Sequence, residues 1–201
     1  MAFFSTDFSA TLVKRESASG DYFGPSSLDP KGGTYRGHIL SLPVTGFKLW
    51  FKRNEGGGET CRRVARDPDP ALIAELEADV GGTLLIREGK RQVQRFAAFF
   101  AWNYELERIQ VVEATQMSVL RDLDRLTADP DYSDLSDWDL QIVRDGEALL
   151  TKYSVDFKPT KRRGALATQI QAAWYECETK GCDLHVLYSN GHPLEALRAS
   201  T

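Results

Sequence analysis

No stretch of this chain stays apolar for the roughly 18–20 residues that a membrane-spanning helix requires, so a helical membrane protein is excluded and no membrane partner is expected. Cysteine is scarce. Cys61, Cys177 and Cys182 are odd in number and lack framework spacing, which argues against a disulfide scaffold and for reduced thiols. Residues 1–13 hold Phe3, Phe4 and Phe8 but no basic start followed by a continuous apolar core. No secretory signal is therefore expected, and the expected location is the cytoplasm. Enzyme signatures are missing as well: there is no phosphate-cradling glycine loop with its Lys and Ser/Thr, no HExxH and no GxSxG. The chain reads as a binder without a catalytic centre or a cofactor. Cys177, Cys182, His185 and His192 do not have the spacing of a zinc knuckle or ribbon. Asp129, Asp131, Asp134, Asp137 and Asp139 could hold magnesium in a nuclease, but their segment reads better as turn and capping chemistry, so no metal is expected.

What is present is a folding composition, 42% hydrophobic and 27% charged over 201 residues, enough for one domain with extensions. The net charge of −4 is unevenly spread. Residues 1–66 carry 10 bases against 6 acids, whereas residues 67–79 carry 5 acids and no base, and residues 113–148 carry 10 acids against 3 bases. Basic strand segments beside acidic helical segments can still present a positive groove, because a binding face is governed by its local field.

Residues 14–33 are rich in Ser, Gly, Asp and Pro and read as an irregular lead-in. Strands are expected over 34–42 and 47–53, with a mobile loop at Asn54–Glu59. Asp67-Pro68-Asp69-Pro70 offers a cap and a proline start for a helix through Val80, ended by Gly81-Gly82. Long strands at 95–104 and 108–114 follow, then a helix capped by Thr115 or Ser118 and running to about Thr127. Strands 138–144 and 150–157 come next, with Asp145-Gly146 turning the chain between them, and a helix over 165–180 stopped by Gly181. The fold class expected is mainly β with helices (α+β): an OB-like antiparallel barrel with a helix before the last two strands and a C-terminal helical extension. A split sandwich satisfies the same string. The boundaries are 1–33 for the lead-in, 34–159 for the OB-like domain and 160–201 for the extension.

Chemistry concentrates on strand 47–53. Period-two alternation sends Phe47, Leu49 and Phe51 to one face and Lys48, Trp50 and Lys52 to the other. A tryptophan between two lysines offers a stacking platform beside cations that follow phosphates, the pairing that non-specific single-strand binding uses. The bland alternative is a Trp50 packed under a loop. Arg53, Arg62 and Arg63 continue the basic character around the glycine loop, and Arg87, Lys90, Arg91 and Arg95 form a second cluster. Both faces of RFAAFFAWNY carry aromatics; Trp102 and Tyr104 are the groove candidates because their polar tips tolerate wet surfaces. Tyr153 on the last strand joins the set, and Lys158, Lys161, Arg162 and Arg163 form a basic exit run.

These stretches, taken in order, resemble the single-stranded DNA-binding proteins of tailed bacteriophages. The matching segments are Tyr22-Phe23-Gly24-Pro25-Ser26, Gly46-Phe47-Lys48-Leu49-Trp50, Phe99-Phe100-Ala101-Trp102-Asn103-Tyr104, Ile109 to Gln116, Asp129-Pro130-Asp131-Tyr132, Trp138-Asp139-Leu140 and Thr151-Lys152-Tyr153-Ser154-Val155. They span about residues 20 to 159. The resemblance implies an OB-fold protein that coats transient single strands, without sequence preference, during phage DNA replication, recombination and repair. It implies replication proteins such as a polymerase and a helicase as partners, leaves room for a homo-oligomer, and puts a phage-encoded protein in the host cytoplasm. Three features depart from the pattern, one of them Gly146-Glu147-Ala148-Leu149-Leu150, which loosens a glycine-richer turn. Trp138-Asp139 stands where Tyr-Asp is more usual, and Pro193 to Thr201 carries only Glu195 where many such proteins have an acidic tail.

Overall fold

Alternation along the basic and aromatic segments becomes strand wherever a neighbour completes the ladder. The computed structural model describes residues 20–132 and 134–198; Phe3, Phe4 and Phe8, with the rest of 1–19, Ser133 and 199–201 lie outside the described residues. The strands are β1 (Tyr22–Phe23), β2 (Lys31–Ile39), β3 (Val44–Arg53), β4 (Glu59–Val64), β5 (Gly82–Leu84), β6 (Ile86–Arg87), β7 (Lys90–Arg91), β8 (Val93–Asn103), β9 (Arg108–Ala114), β10 (Trp138–Asp145) and β11 (Lys152–Pro159). Among them run the helices α1 (Pro70–Val80) and α2 (Met117–Thr127), with α3 (Gly164–Thr179), a 3-10 turn at Leu184–Ser189 and α4 (Glu195–Arg198) closing the chain. The class is mixed α+β, mostly sheet with a few helices.

The helix signals act as physical chemistry requires. Asp69 caps α1 by accepting from the Leu72 N–H at 2.8 Å, Pro70 occupies the first turn where its missing N–H costs nothing, and Gly81 ends the helix in the left-handed region at φ 59°. For α2 the cap is Gln116, without a side-chain cap bond, rather than Thr115 or Ser118.

One path of strands orders as β1-β9-β8-β2-β10-β11, and β3 branches from it by pairing β8, β4 and β5. Strands β2 and β3 act as one bent strand. The first part pairs with β10 (Ile142 opposite Tyr35), and the chain then runs antiparallel along β8, with Ile39 opposite Ala101 and Val44 opposite Ala98. The barrel does not close. Among the described residues β9 and β11 are not paired, and the outer edge of β9 is taken at Val111 and Val112 by β1, which runs parallel to it. The expected closed barrel is therefore corrected to an open, curved sheet, and residues expected to be an irregular lead-in supply the strand that occupies the closing edge. Strand β4 follows the expected loop at Asn54–Glu59 and is assigned no element by the sequence: its Thr-Cys-Arg-Arg-Val string has no strong alternation of its own and is held by pairing from Phe47–Val64 to Lys52–Glu59.

The sheet has three apolar clusters. Phe99, Ala101, Leu140, Ile142, Val155 and Phe157 close over Val119 and Leu126 of α2 on the concave side. Leu49 and Phe51 pack against Ile73 of α1. On the opposite face of β8 and β9, Phe96, Phe100, Trp102, Ile109 and Val111 are covered by Ile170 and Cys177 of α3 and by Leu184, Leu187 and Leu194. The C-terminal extension is thus a lid on one outer face of the sheet.

Beneath the junction to that lid sits a buried carboxylate. Asp139 Oδ1 accepts from the Tyr104 hydroxyl at 2.7 Å and from Thr160 at 2.9 Å, and faces His38 Nδ1 at 3.3 Å. Its Oδ2 accepts from Arg36 Nε at 3.1 Å and from the Lys161 N–H at 2.9 Å. His38 Nε2 faces Arg162, which can only donate, so the ring proton sits on Nδ1. Two residues of β2, the end of β8 and the segment leading into α3 therefore share one anchor. Burial pushes the Asp139 carboxyl up, but the hydrogen bonds from His38, Tyr104, Lys161 and Thr160 more than offset it and hold it below the usual carboxylate range.

Candidate nucleic-acid interface

Lys48, Trp50 and Lys52 project from the face of β3 opposite to buried Leu49 and Phe51, as the period of two requires. Trp50 is half-buried, and the Lys48 ammonium lies 5.4 Å from its ring centroid, a cation–π distance. The main chain at Trp50 roots a two-stranded arm. The Trp50 N–H donates to Gln92 O at 3.1 Å, and Trp50 O accepts from the Leu85 N–H at 2.8 Å. From there β6 and β7 pair Ile86 with Arg91 and Arg87 with Lys90. The tip is Glu88-Gly89, both at positive φ (51° and 73°), the backbone of a two-residue hairpin turn. Arg87 is held by Glu59 at 2.7 Å. Lys52, Arg53, Lys90 and Arg91 are exposed, and no carboxylate among the described residues pairs with them.

Two of the expected phosphate cations are engaged inside the protein. The Lys48 ammonium and the Arg63 guanidinium (2.7 Å) both grip Glu113 of β9, all three groups largely buried. Burial raises the Glu113 carboxyl, yet Lys48 and Arg63, by charge and by hydrogen bonds, bring it below its ordinary value. Arg62 faces the other way and pairs with Asp79 of α1 at 3.1 Å. Glu113 is the residue that sequence reasoning missed. The one signal for it was a lone acid in the apolar run of β9, on the side shared by Ile109 and Val111.

Arg95 lies on the concave face, opposite Phe47 in the ladder, with its guanidinium 5.7 Å from the Phe47 ring. The pair floors a groove of about 600 Å³ walled by Met117, Leu120 and Arg121 of α2. It is a separate site, on the other side of the sheet from Trp50.

Trp102 is corrected outright. Only 2% exposed, it is sealed beneath the C-terminal extension and offers no ring to a base. Tyr104 is half-buried, spends its hydroxyl on Asp139 and carries Lys161 over its ring at 5.7 Å. Tyr153 packs at the margin of the concave core on β11, at the far end of the strand order from β3. The structure therefore brings together Lys48, Trp50, Lys52 and Arg63, leaves Arg53 and Arg62 on the opposite face, and separates Arg95, Trp102, Tyr104 and Tyr153 from them.

Among the described residues no group of three or more His, Cys, Asp or Glu side chains is placed to hold a metal ion. Cys177 is buried, while His185 is exposed and pairs with Asp183 at 3.0 Å. No helix among the described residues is long and apolar enough to cross a membrane. Comparison with family models, with curated proteins and with solved structures finds no match for the chain.

Proposed function

We propose that this protein binds single-stranded DNA without sequence preference and coats transient strands during DNA replication, recombination and repair, in the manner of the phage proteins it resembles. The observation that carries the reading is Trp50 at the root of a basic arm. A half-buried indole lies beside Lys48, with Lys52 on the same face, and the arm rooted at its main chain carries exposed Lys90 and Arg91 without carboxylate partners among the described residues. Base stacking contributes about 1–3 kcal/mol per base, and cations that meet phosphates release counterions, so ring and charge together suit an unpaired strand and not a duplex with its bases already stacked. The path β9-β8-β2-β10-β11, with β3 branching from β8 and α2 ahead of β10, supports the reading of this sheet as OB-like and, with it, the same function.

The test is anisotropy of dye-labelled oligo(dT), set against a duplex of the same length, over a range of salt. Tighter binding of the single strand, weakening steadily with salt, supports the reading; equal or absent binding ends it. A second reading, a protein–protein adaptor on the same scaffold, draws on the mostly apolar groove between α2 and the Phe47–Arg95 floor. It requires a stable protein partner and no oligonucleotide binding.

A further inference from the structure

Glu113 needs one cation and has two. Lys48, Arg63 and Glu113 line a pocket of about 320 Å³ whose walls carry mainly polar groups: Tyr22 and Ser26 near β1, and Thr115 and Gln116 just after β9. Side-chain exposure is 15% for Lys48, 18% for Arg63 and 10% for Glu113, so these charges are drawn largely out of bulk water. Partial burial of a charge is costly unless it is matched, and three charges of net +1 leave one cation's worth unmatched. Among the described residues the nearby acids do not supply the difference. Asp21 is engaged by Arg198 at 2.7 Å, and Glu59 by Arg87 at 2.7 Å. What would match the surplus is an anion entering the open pocket, with hydroxyl and amide groups on its walls to complete its hydrogen bonds.

We propose that this pocket is a phosphate site, in which Lys48 and Arg63 bind the phosphate oxygens while Glu113 offsets one of their two charges. Lys48 reaches both the pocket and the Trp50 ring, so one phosphate and one base of the same strand fit on adjoining positions. That the phosphate belongs to a DNA strand rests on the single-strand reading; affinity of the pocket for phosphate itself does not. Arg63 suits this role by presenting a planar fork of donors to an oxyanion, where a lysine presents a point charge.

The test uses the full chain and inorganic phosphate as the probe. Thermal melting is followed as phosphate replaces chloride at constant ionic strength. The wild type is expected to show a saturable rise in melting temperature that Arg63→Gln abolishes and Arg63→Lys keeps in part. Glu113→Gln, which removes the internal competitor, is expected to tighten phosphate binding several-fold; a mere structural ion pair would give a less stable protein with no gain in affinity. Should Arg63→Gln fail to fold, calorimetric titration of the wild type and Arg63→Lys with phosphate decides the matter. Titration with oligo(dT) lacking terminal phosphates identifies the source. A loss of about tenfold in Arg63→Gln assigns a backbone phosphodiester. A phosphate response without any oligonucleotide binding keeps the pocket, as a site for free phosphate, and ends the single-strand reading. Oligonucleotide binding that ignores Arg63→Gln, with no phosphate response, overturns the pocket and leaves that reading standing.

Discussion

Trp50 and Trp102 stand on neighbouring antiparallel strands of one sheet and have opposite fates. Both strands alternate, both carry aromatics, and both tryptophans are on the side of the sheet that the C-terminal extension approaches. Over β8 and β9 the extension lays Ile170, Cys177, Leu184, Leu187 and Leu194 on Phe96, Phe100 and Trp102 and shuts out water. Trp50 is not part of that cluster and stays half-buried, with the Lys48 ammonium 5.4 Å from its ring centroid. Strand period determines which residues share a face. What covers that face is decided by segments sixty or more residues away, here anchored through the buried Asp139.

The comparison breaks most visibly through stability. Trp102→Ala empties a sealed site and is expected to lower the unfolding free energy by about 3–5 kcal/mol in urea titration, without removing a surface that meets DNA. Asp139→Ala leaves His38, Tyr104, Arg36 and the Lys161 N–H without their acceptor. It is expected to cost a similar amount, about 3–5 kcal/mol, because several donors, the buried His38 among them, lose their acceptor at once and the part-buried Arg36 loses its charge partner. Trp50→Ala inverts the pattern: an affinity loss for oligo(dT) of about 1–3 kcal/mol, roughly 5- to 150-fold, with a much smaller change in unfolding midpoint than Trp102→Ala.

Acid titration sharpens the account of the anchors. Asp139 and Glu113 are both held below their ordinary values in the folded chain, so their contribution is fully present above the unfolded carboxylate range and is lost as pH falls through the lowered folded values. Stability followed by circular dichroism should therefore hold down to about pH 4 and drop below it, and Asp139→Asn should flatten that drop. The smallest effect belongs to the arm. Lys90→Ala and Arg91→Ala are each expected to reduce the slope of log affinity against log salt by about 0.7, measured with oligo(dT).

Much of this architecture was legible because it is local. Alternation located β8, β9, β10 and β11 to within about two residues at their ends and β3 with its start three residues late, and Asp69-Pro70 with Gly81 bounded α1. The elements that escaped are those made by tertiary pairing. Tyr22–Phe23 is a strand only because β9 offers its edge, and Arg62 and Arg63 sit in β4 only because β3 runs beside them. Of the site, Trp50 and its lysines followed from the period. Two things could not be read locally: the capture of Lys48 and Arg63 by Glu113, fifty or more residues on, and the burial of Trp102 by the last forty residues.

The most direct test follows intrinsic tryptophan fluorescence as oligo(dT) is added at low salt to the parent protein and to Trp50→Phe. The account requires strong quenching in the parent and loss of most of it in Trp50→Phe, since Trp102 is sealed and Trp138 and Trp174 pack against the two apolar clusters. Quenching of equal depth in both proteins, or none in the parent, would contradict the placement of the bound base on this indole.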